Sequence, residues 1–307
     1  MWFGSAMSYL NTKMRVTIIS LSLVLLLFSC AEEAELERTK TQANEGDAMA
    51  QLRLGEMYNF GEGIPHDYKE AVKWYRMSAD QGNAMAQYHL YGMYHDGTGV
   101  PKDPKEAIKW IRMSADQGYD VAQLRLGTMY EFGSGIPHDY LEAAKWYRKS
   151  AEQGQSKAQF NVGFMYEVGR GVPQDYKKAV VWYRMSADQG DAWAQYYLGA
   201  MYGKGEGVPK DYKEAIKWIR MSADQGYAMA QFVLGMMYYN GLGVPKDYKQ
   251  AYIWIYNAKM NYHEPATGKL DIITEEMTKE QIADAKSLAT EIHNRIIHNR
   301  FKANRKD

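Results

Sequence analysis

The residues of this chain whose types could do chemistry are few: seven histidines (His66, His89, His95, His138, His263, His293 and His298), one cysteine (Cys30), and a recurrent glycine loop first seen as Gly61-Glu62-Gly63-Ile64-Pro65-His66-Asp67. A zinc site needs ligands at a fixed spacing, such as H-E-x-x-H on one helix face. No histidine here stands in that motif or in a pair with a matched carboxylate, so no metal site is expected. His66 and His138 share one loop position and read as exposed polar fillers. The G-x-G-x-P-x-D loop resembles phosphate-cradling turns only in its glycines, because those turns follow a strand and open a helix, and no strand pattern precedes this one. No nucleophile, base and orienting third group can be assembled from the sequence. The expectation is a protein without catalytic residues, metal or cofactor.

The glycine loop belongs to a larger pattern. Residues 46–81, GDAMAQLRLGEMYNFGEGIPHDYKEAVKWYRMSADQ, form a unit of 36 residues that returns without insertion at 82–117, 118–153, 154–189, 190–225 and 226–261, six copies in all. A fixed period of this length marks repeats that cannot bury their own apolar face and are stabilised by stacking on neighbours. Across the six copies Ala50, Gln51, Met57, Tyr58, Gly61, Gly63, Pro65, Asp67, Ala71 and Trp74 are matched every time. Ala50, Leu54, Met57 and Tyr58 make one stripe of helical period, and Ala71, Trp74, Tyr75 and Ser78 make a second. Between them two glycines and Pro65 break the helix, and Asp67 sits at an N-cap position with Glu70 at capping-box spacing. Pro104 takes the harmless first-turn position in the second copy. Gly55 recurs inside the first helix at a cost of about 1 kcal/mol against Ala, which implies close approach of a neighbour; the second copy instead places Tyr91 in that slot, read as local repacking.

Composition limits the function classes. Lys plus Arg and Asp plus Glu are 37 each in 307 residues, so the basic excess usual for a nucleic-acid binder is missing and no nucleic acid is expected as a partner. Of the 8 Trp, six fall at one repeat position and are structural.

The chain opens on an export signal. Lys13 and Arg15 precede the apolar run from Val16 to Ser29, 14 residues, where a membrane-spanning helix needs about 20. Residues 1–29 therefore read as a signal peptide. Leu27-Phe28-Ser29-Cys30 resembles a bacterial lipobox, in which cleavage leaves Cys30 as a lipidated N-terminus, although Phe28 is larger than the residue usual at its position. A plain signal peptide with an incidental cysteine is the alternative. On the lipobox reading the protein is lipid-anchored through Cys30 in the bacterial cell envelope, facing the periplasm or the surface. Residues 30–45 form an acidic tether and a worn helix that covers the first copy, with Ala43 in the place of Ala79.

The pattern A-x-A-Q-x-x-L-G-x-M-Y-x-x-G-x-G-x-P-x-D-Y-x-x-A-x-x-W-Y-x-x-[SA]-A-x-Q-G, carried by residues 46–261, resembles the Sel-one-like repeat (SLR) family, relatives of the tetratricopeptide repeat. The resemblance implies an all-α fold, a right-handed α/α superhelical solenoid of six helix pairs with terminal capping helices. It also implies an adaptor that assembles complexes, and bacterial members have been linked to envelope assembly, signalling and host interaction. Cysteine-rich relatives staple each pair with a disulfide and have been linked to penicillin binding and β-lactam hydrolysis; the repeats here contain no cysteine.

What varies between copies points to a partner. The positions of Met49, Leu52, Glu56 and Asn59 lie opposite the core stripe of the first helix and across the copies become Met85 and Tyr88, Val121 and Leu124, Lys157, Phe160 and Phe164, Trp193 and Tyr196, and Met229, Phe232 and Met236, apolar or aromatic far more often than a solvated face would be. In the family the first helices line the concave surface, so by resemblance this stripe forms a groove for a protein or peptide; packing between copies is the alternative. The second helices carry Lys69, Lys73, Arg76 and Asp80, a solvated face with an Arg to Asp pair. After the sixth copy, residues 262–300 are expected to form capping helices, the first beginning near Pro265 and the second capped by Thr278 with Gln281. Residues 301–307 close a basic end that includes Arg295 and Arg300. Three functions follow: a non-catalytic envelope adaptor, a structural binder of wall polymer or membrane, and a penicillin-binding or β-lactam-hydrolysing protein.

Overall fold

The 36-residue period becomes a period of helix pairs. The computed structural model describes residues 33–261 and 264–303; the signal segment, Cys30 and the last basic residues lie outside them. Helix α1 spans 33–44. The pairs follow as α2 (Ala48–Phe60) with α3 (Tyr68–Asp80), α4 (Ala84–Asp96) with α5 (Pro104–Asp116), α6 (Asp120–Phe132) with α7 (Tyr140–Glu152), α8 (Ser156–Val168) with α9 (Tyr176–Asp188), α10 (Ala192–Lys204) with α11 (Tyr212–Asp224), and α12 (Ala228–Asn240) with α13 (Tyr248–Met260). Helices α14 (Pro265–Glu275) and α15 (Lys279–Ala303) close the chain. No strand occurs among the described residues, and the architecture is the all-α repeat array that the period predicts. The chain divides into two compact units, Met1–Ala122 and Gln123–Asp307.

Each helix boundary has a local cause. Asp67 accepts from the N–H groups of Lys69 and Glu70, and Asp103, Asp139 and Asp211 repeat this cap. The expected capping box is only half made: Glu70 bonds Lys73 at 3.2 Å, and the Asp67 N–H goes to the Tyr58 carbonyl at 2.9 Å. First helices end on a left-handed glycine such as Gly61, φ 72°. The second loop glycine is required by space as well, since a Cβ on Gly207 (φ +74°) would lie 2.3 Å from the Tyr176 carbonyl oxygen.

In unit 1 the apolar faces of α1, α2 and α3 meet around Leu36, Ala43, Ala50, Leu54, Met57 and Trp74. Gln51, matched in all copies, is buried, and its role is a ladder of amides. Gln81 Nε2 donates to Gln51 Oε1 at 2.7 Å, and Gln51 Nε2 donates to the Ala43 carbonyl at 3.1 Å. Ser78, fully buried, donates to the Ala48 carbonyl at 2.6 Å. Buried polar groups are tolerated only with such partners. The glycine inside the first helix is explained by a ring: a Cβ on Gly55 would sit 2.6 Å from Tyr75. In the second copy Tyr91 and Ile111 occupy the places of Gly55 and Tyr75, and both are buried.

Unit 2 repeats these devices along α8 to α13. Gln189 and Gln225 donate to Gln159 and Gln195 at 2.7 and 2.9 Å, and Asn261 does the same to Gln231 at 2.9 Å where the sixth copy loses its glutamine. Helices α14 and α15 pack on α13 through Ala266, Leu270, Ile273, Ala285 and Ala289. Thr278 and Gln281 cap α15 reciprocally: the Thr278 N–H donates to Gln281 Oε1 at 2.8 Å and the Gln281 N–H to Thr278 Oγ1 at 3.2 Å.

One expectation is corrected: the Arg to Asp pair of the second helix is not formed by Arg76, Arg184 or Arg220. Arg76, Arg148, Arg184 and Arg220 instead donate to the hydroxyls of Tyr94, Tyr166, Tyr202 and Tyr238 in the following copy. Arg76, Arg184 and Arg220 also lie 5.5 to 5.9 Å over Trp110, Trp218 and Trp254. A planar guanidinium can donate and stack together, so these contacts latch copy to copy. Among the described residues the basic end continues α15 to Ala303, and Arg300 Nε donates to the Gln225 carbonyl at 2.8 Å.

Candidate partner-binding surface

The first helices of unit 2 bring variable residues of successive copies side by side, because the same register recurs every 36 residues. Phe160 on α8 is the centre. Its ring lies 6.4 Å from Phe164, 6.2 Å from Trp193, 5.4 Å from Tyr197 and 5.7 Å from Tyr183. From there the surface continues through Trp193 and Tyr196 of α10 to Tyr227, at 4.7 and 5.4 Å. These offset and edge-on arrangements are those aromatic rings prefer.

Burial separates two roles that the sequence left open. Tyr183 is fully buried, and Phe160, Phe164, Tyr196, Tyr197 and Tyr227 are half-buried. Trp193 is 51% exposed. The stripe is thus packed along its base and open at its rim. Phe232 belongs elsewhere, with the core around α13, α14 and α15. Leu52, expected on the open face in the first copy, is buried at 3% exposure. Tyr88 lies in unit 1, half-buried, with Tyr91 at 6.0 Å and Tyr119 at 5.6 Å.

Acidic residues beneath the stripe were missed by the sequence reading. The Tyr183 hydroxyl donates to Glu167 Oε2 at 2.5 Å, and the Tyr147 hydroxyl donates to Glu131 Oε2 at 2.6 Å with Thr128 Oγ1 3.2 Å away. The signal was available: Glu131 and Glu167 occupy the Asn59 position in the two copies of unit 2 whose second helix carries the matching tyrosine. In unit 1 the corresponding place is taken by Glu56 and His89, 3.7 Å apart, with His89 stacked on Tyr75 at 4.7 Å. The His89 hydrogen bond holds the Glu56 carboxyl below its ordinary value against the opposing effect of burial. Burial raises the hydroxyls of Tyr147, Tyr183, Tyr196, Tyr197 and Tyr227, and burial together with Tyr197 and Tyr196 beside it pushes Tyr227 up to about 12. These groups stay neutral at physiological pH and supply hydroxyls and ring faces, not charge.

Next to the stripe lies an open cavity of about 360 Å³ bounded by Leu124 and Thr128 of α6, Lys157, Phe160 and Asn161 of α8, and Asp191 and Trp193 at the start of α10. Nothing in it assembles a nucleophile with a base. No cluster of His, Cys, Asp or Glu among the described residues could hold a metal. His66 and His138 are exposed and lie edge-on to Tyr68 and Tyr140. No described helix is long and apolar enough to cross a membrane.

Comparison with known proteins matches six stretches, 48–83, 84–119, 120–155, 156–191, 194–227 and 228–262, to the Sel1 repeat model. A Sel1 repeat protein from Oxalobacter formigenes is 33% identical, with 76% of this chain and 95% of that one covered and a TM-score of 0.62. The protein c5321, described as a protective antigen in uropathogenic Escherichia coli strains displaying an SLR fold, is 30% identical, with 87% and 74% covered and a TM-score of 0.39. No curated protein matches the chain.

Proposed function

The chain belongs to the Sel1 repeat family, whose members are in general non-catalytic protein-interaction scaffolds, and from that premise we propose that it is an envelope-anchored adaptor binding a protein or peptide on the first-helix surface of unit 2. The observation that carries the reading is Trp193, half exposed at the rim of a packed aromatic cluster. Hot spots of binding are rigid aromatic anchors whose base is already fixed, so that little entropy is lost on docking. A solenoid of repeated scaffold residues with variable aromatics on one register presents such anchors without disturbing the fold. Anchoring rests on the lipobox-like Leu27-Phe28-Ser29-Cys30 and the apolar run before it. On this reading the array is held at a bacterial membrane through lipid on Cys30, and the acidic tether sets its distance from the bilayer.

The test is crosslinking and co-purification from intact cells, comparing the native protein with a Phe160→Ser, Trp193→Ser, Tyr196→Ser variant of unchanged helicity. A partner recovered with the first and lost with the second supports the proposal. Identical partners with both remove the stripe as the binding surface. Anchoring is checked separately by labelled palmitate, whose incorporation should vanish in Cys30→Ala.

A further inference from the structure

The cavity beside the aromatic stripe has a chemical bias that the rest of the register lacks. The position of Lys157 is Met49, Met85, Val121, Trp193 and Met229 in the other copies, so a cation enters an apolar register once. That of Asn161 is Arg53, His89, Arg125, Tyr197 and Val233, so its amide too is particular to this copy. The two stand one helical turn apart on α8 and both border the cavity. Among the described residues neither side chain has a hydrogen-bond or ion-pair partner, although Asn161 is half-buried. The one acid at the cavity, Asp191, is already engaged as the cap of α10, accepting from the Ala194 N–H at 2.8 Å. The walls are apolar: Leu124 on one side, Phe160 and Trp193 on the other.

A half-buried amide donor and an unpaired ammonium facing the same space favour an anion, and a planar carboxylate accepts from both. The apolar walls need a non-polar group beside it. The open surface continues from Trp193 to Tyr196 and Tyr227, so the occupant is one residue of a longer segment that runs on along the stripe. We propose that this cavity selects an Asp or Glu side chain within an extended partner segment, its carboxylate on Lys157 Nζ and the Asn161 amide, with an adjacent bulky apolar residue against Phe160 and Trp193. The proposal rests on the protein-binding reading of the same surface and adds the sequence class of the partner.

The experiment is selection of a random seven-residue library, displayed internally so that no free C-terminus is offered, on the purified full chain and on Lys157→Glu and Lys157→Gln. Lys157 is exposed, so both variants should keep the native helicity and melting. The expected consensus pairs Asp or Glu with Leu, Phe, Trp or Met. Its affinity should fall about tenfold or more in Lys157→Glu, the scale of a lost hydrogen bond to a charged group, and less in Lys157→Gln. A consensus that depends on Trp193 but carries no acid, or is the same in Lys157→Glu, overturns the carboxylate assignment and leaves the protein-binding reading standing. No enrichment on the native chain, or retention of isolated glycan strands in place of peptides, overturns both.

Discussion

The arginine latch offers the sharpest quantitative prediction, because two accounts of the same residue differ in magnitude. If Arg184 served only a solvated pair with Asp188, its removal would cost about 0.3–0.5 kcal/mol. In the structure Arg184 donates to the Tyr202 hydroxyl and lies 5.7 Å over that ring and 5.8 Å over Trp218. A hydrogen bond to a charged group contributes about 1.5–3 kcal/mol and each partly exposed cation–π contact about 0.5–1 kcal/mol. Arg184→Met keeps an apolar stem over Trp218 and removes the rest, so a loss of about 2 kcal/mol is expected. Tyr202→Phe removes the hydroxyl alone and should couple to it by about 1 kcal/mol. The assay is a double-mutant cycle by urea unfolding followed by helicity, with the slope on denaturant checked for constancy. Asp188→Asn is the control and should change stability by less than about 0.5 kcal/mol. Additivity of Arg184→Met with Tyr202→Phe, or equal losses for Arg184→Met and Asp188→Asn, would refute the latch.

Three further outcomes follow from the packing. Gly207→Ala must place a methyl group against the Tyr176 carbonyl at a positive φ, and thermal unfolding should register a loss of about 1–3 kcal/mol; the same change at Gly154, where a Cβ would meet nothing within 4 Å, should cost only the backbone term at φ +97°. Buried tyrosines lose their protons later in the folded than in the unfolded chain. Stability should therefore hold below the ordinary tyrosine value of 10.0 and fall as pH rises toward about 12, where Tyr227 ionises, with tyrosinate absorbance rising together with loss of helicity. His293, buried on α15 with its value lowered by burial and by Arg300, stays neutral in the folded chain, so docking of α15 should weaken as pH falls below 6.5; hydrogen exchange of α15 should accelerate there in the native protein and not in His293→Leu.

The helix pairs were legible because their signals are local and repeated six times: Asp67 at the cap, Gly61 at the stop, and Ala71, Trp74 and Tyr75 on one stripe. What sequence could not settle is which neighbour a residue meets in the adjoining copy. Gln51 stood out as invariant without a role, and only the stacking of one copy on the next shows its amide spanning two helices. Arg76 looked like half of an ion pair because Asp80 is one turn away, yet the Tyr94 hydroxyl 18 positions on is its partner. The candidate surface was half legible: the aromatic register could be read, but whether a ring is a wall or a rim depends on its exposure, and Phe160 is half-buried while Trp193 is 51% exposed. Lys157 could be read as a member of that register but not given a role, because a surface lysine is the commonest of residues until an apolar cavity and an unpaired amide are found beside it.

The most direct test of the account is a photocrosslinking amino acid placed in living cells at position 193, with position 181 as the comparison. Val181 is exposed at 58% on the second helix α9, while Trp193 is exposed at 51% on the first helix α10. The account predicts a discrete protein adduct at 193 and none at 181. Adducts at 181 alone, or the same adducts at both positions, would contradict it.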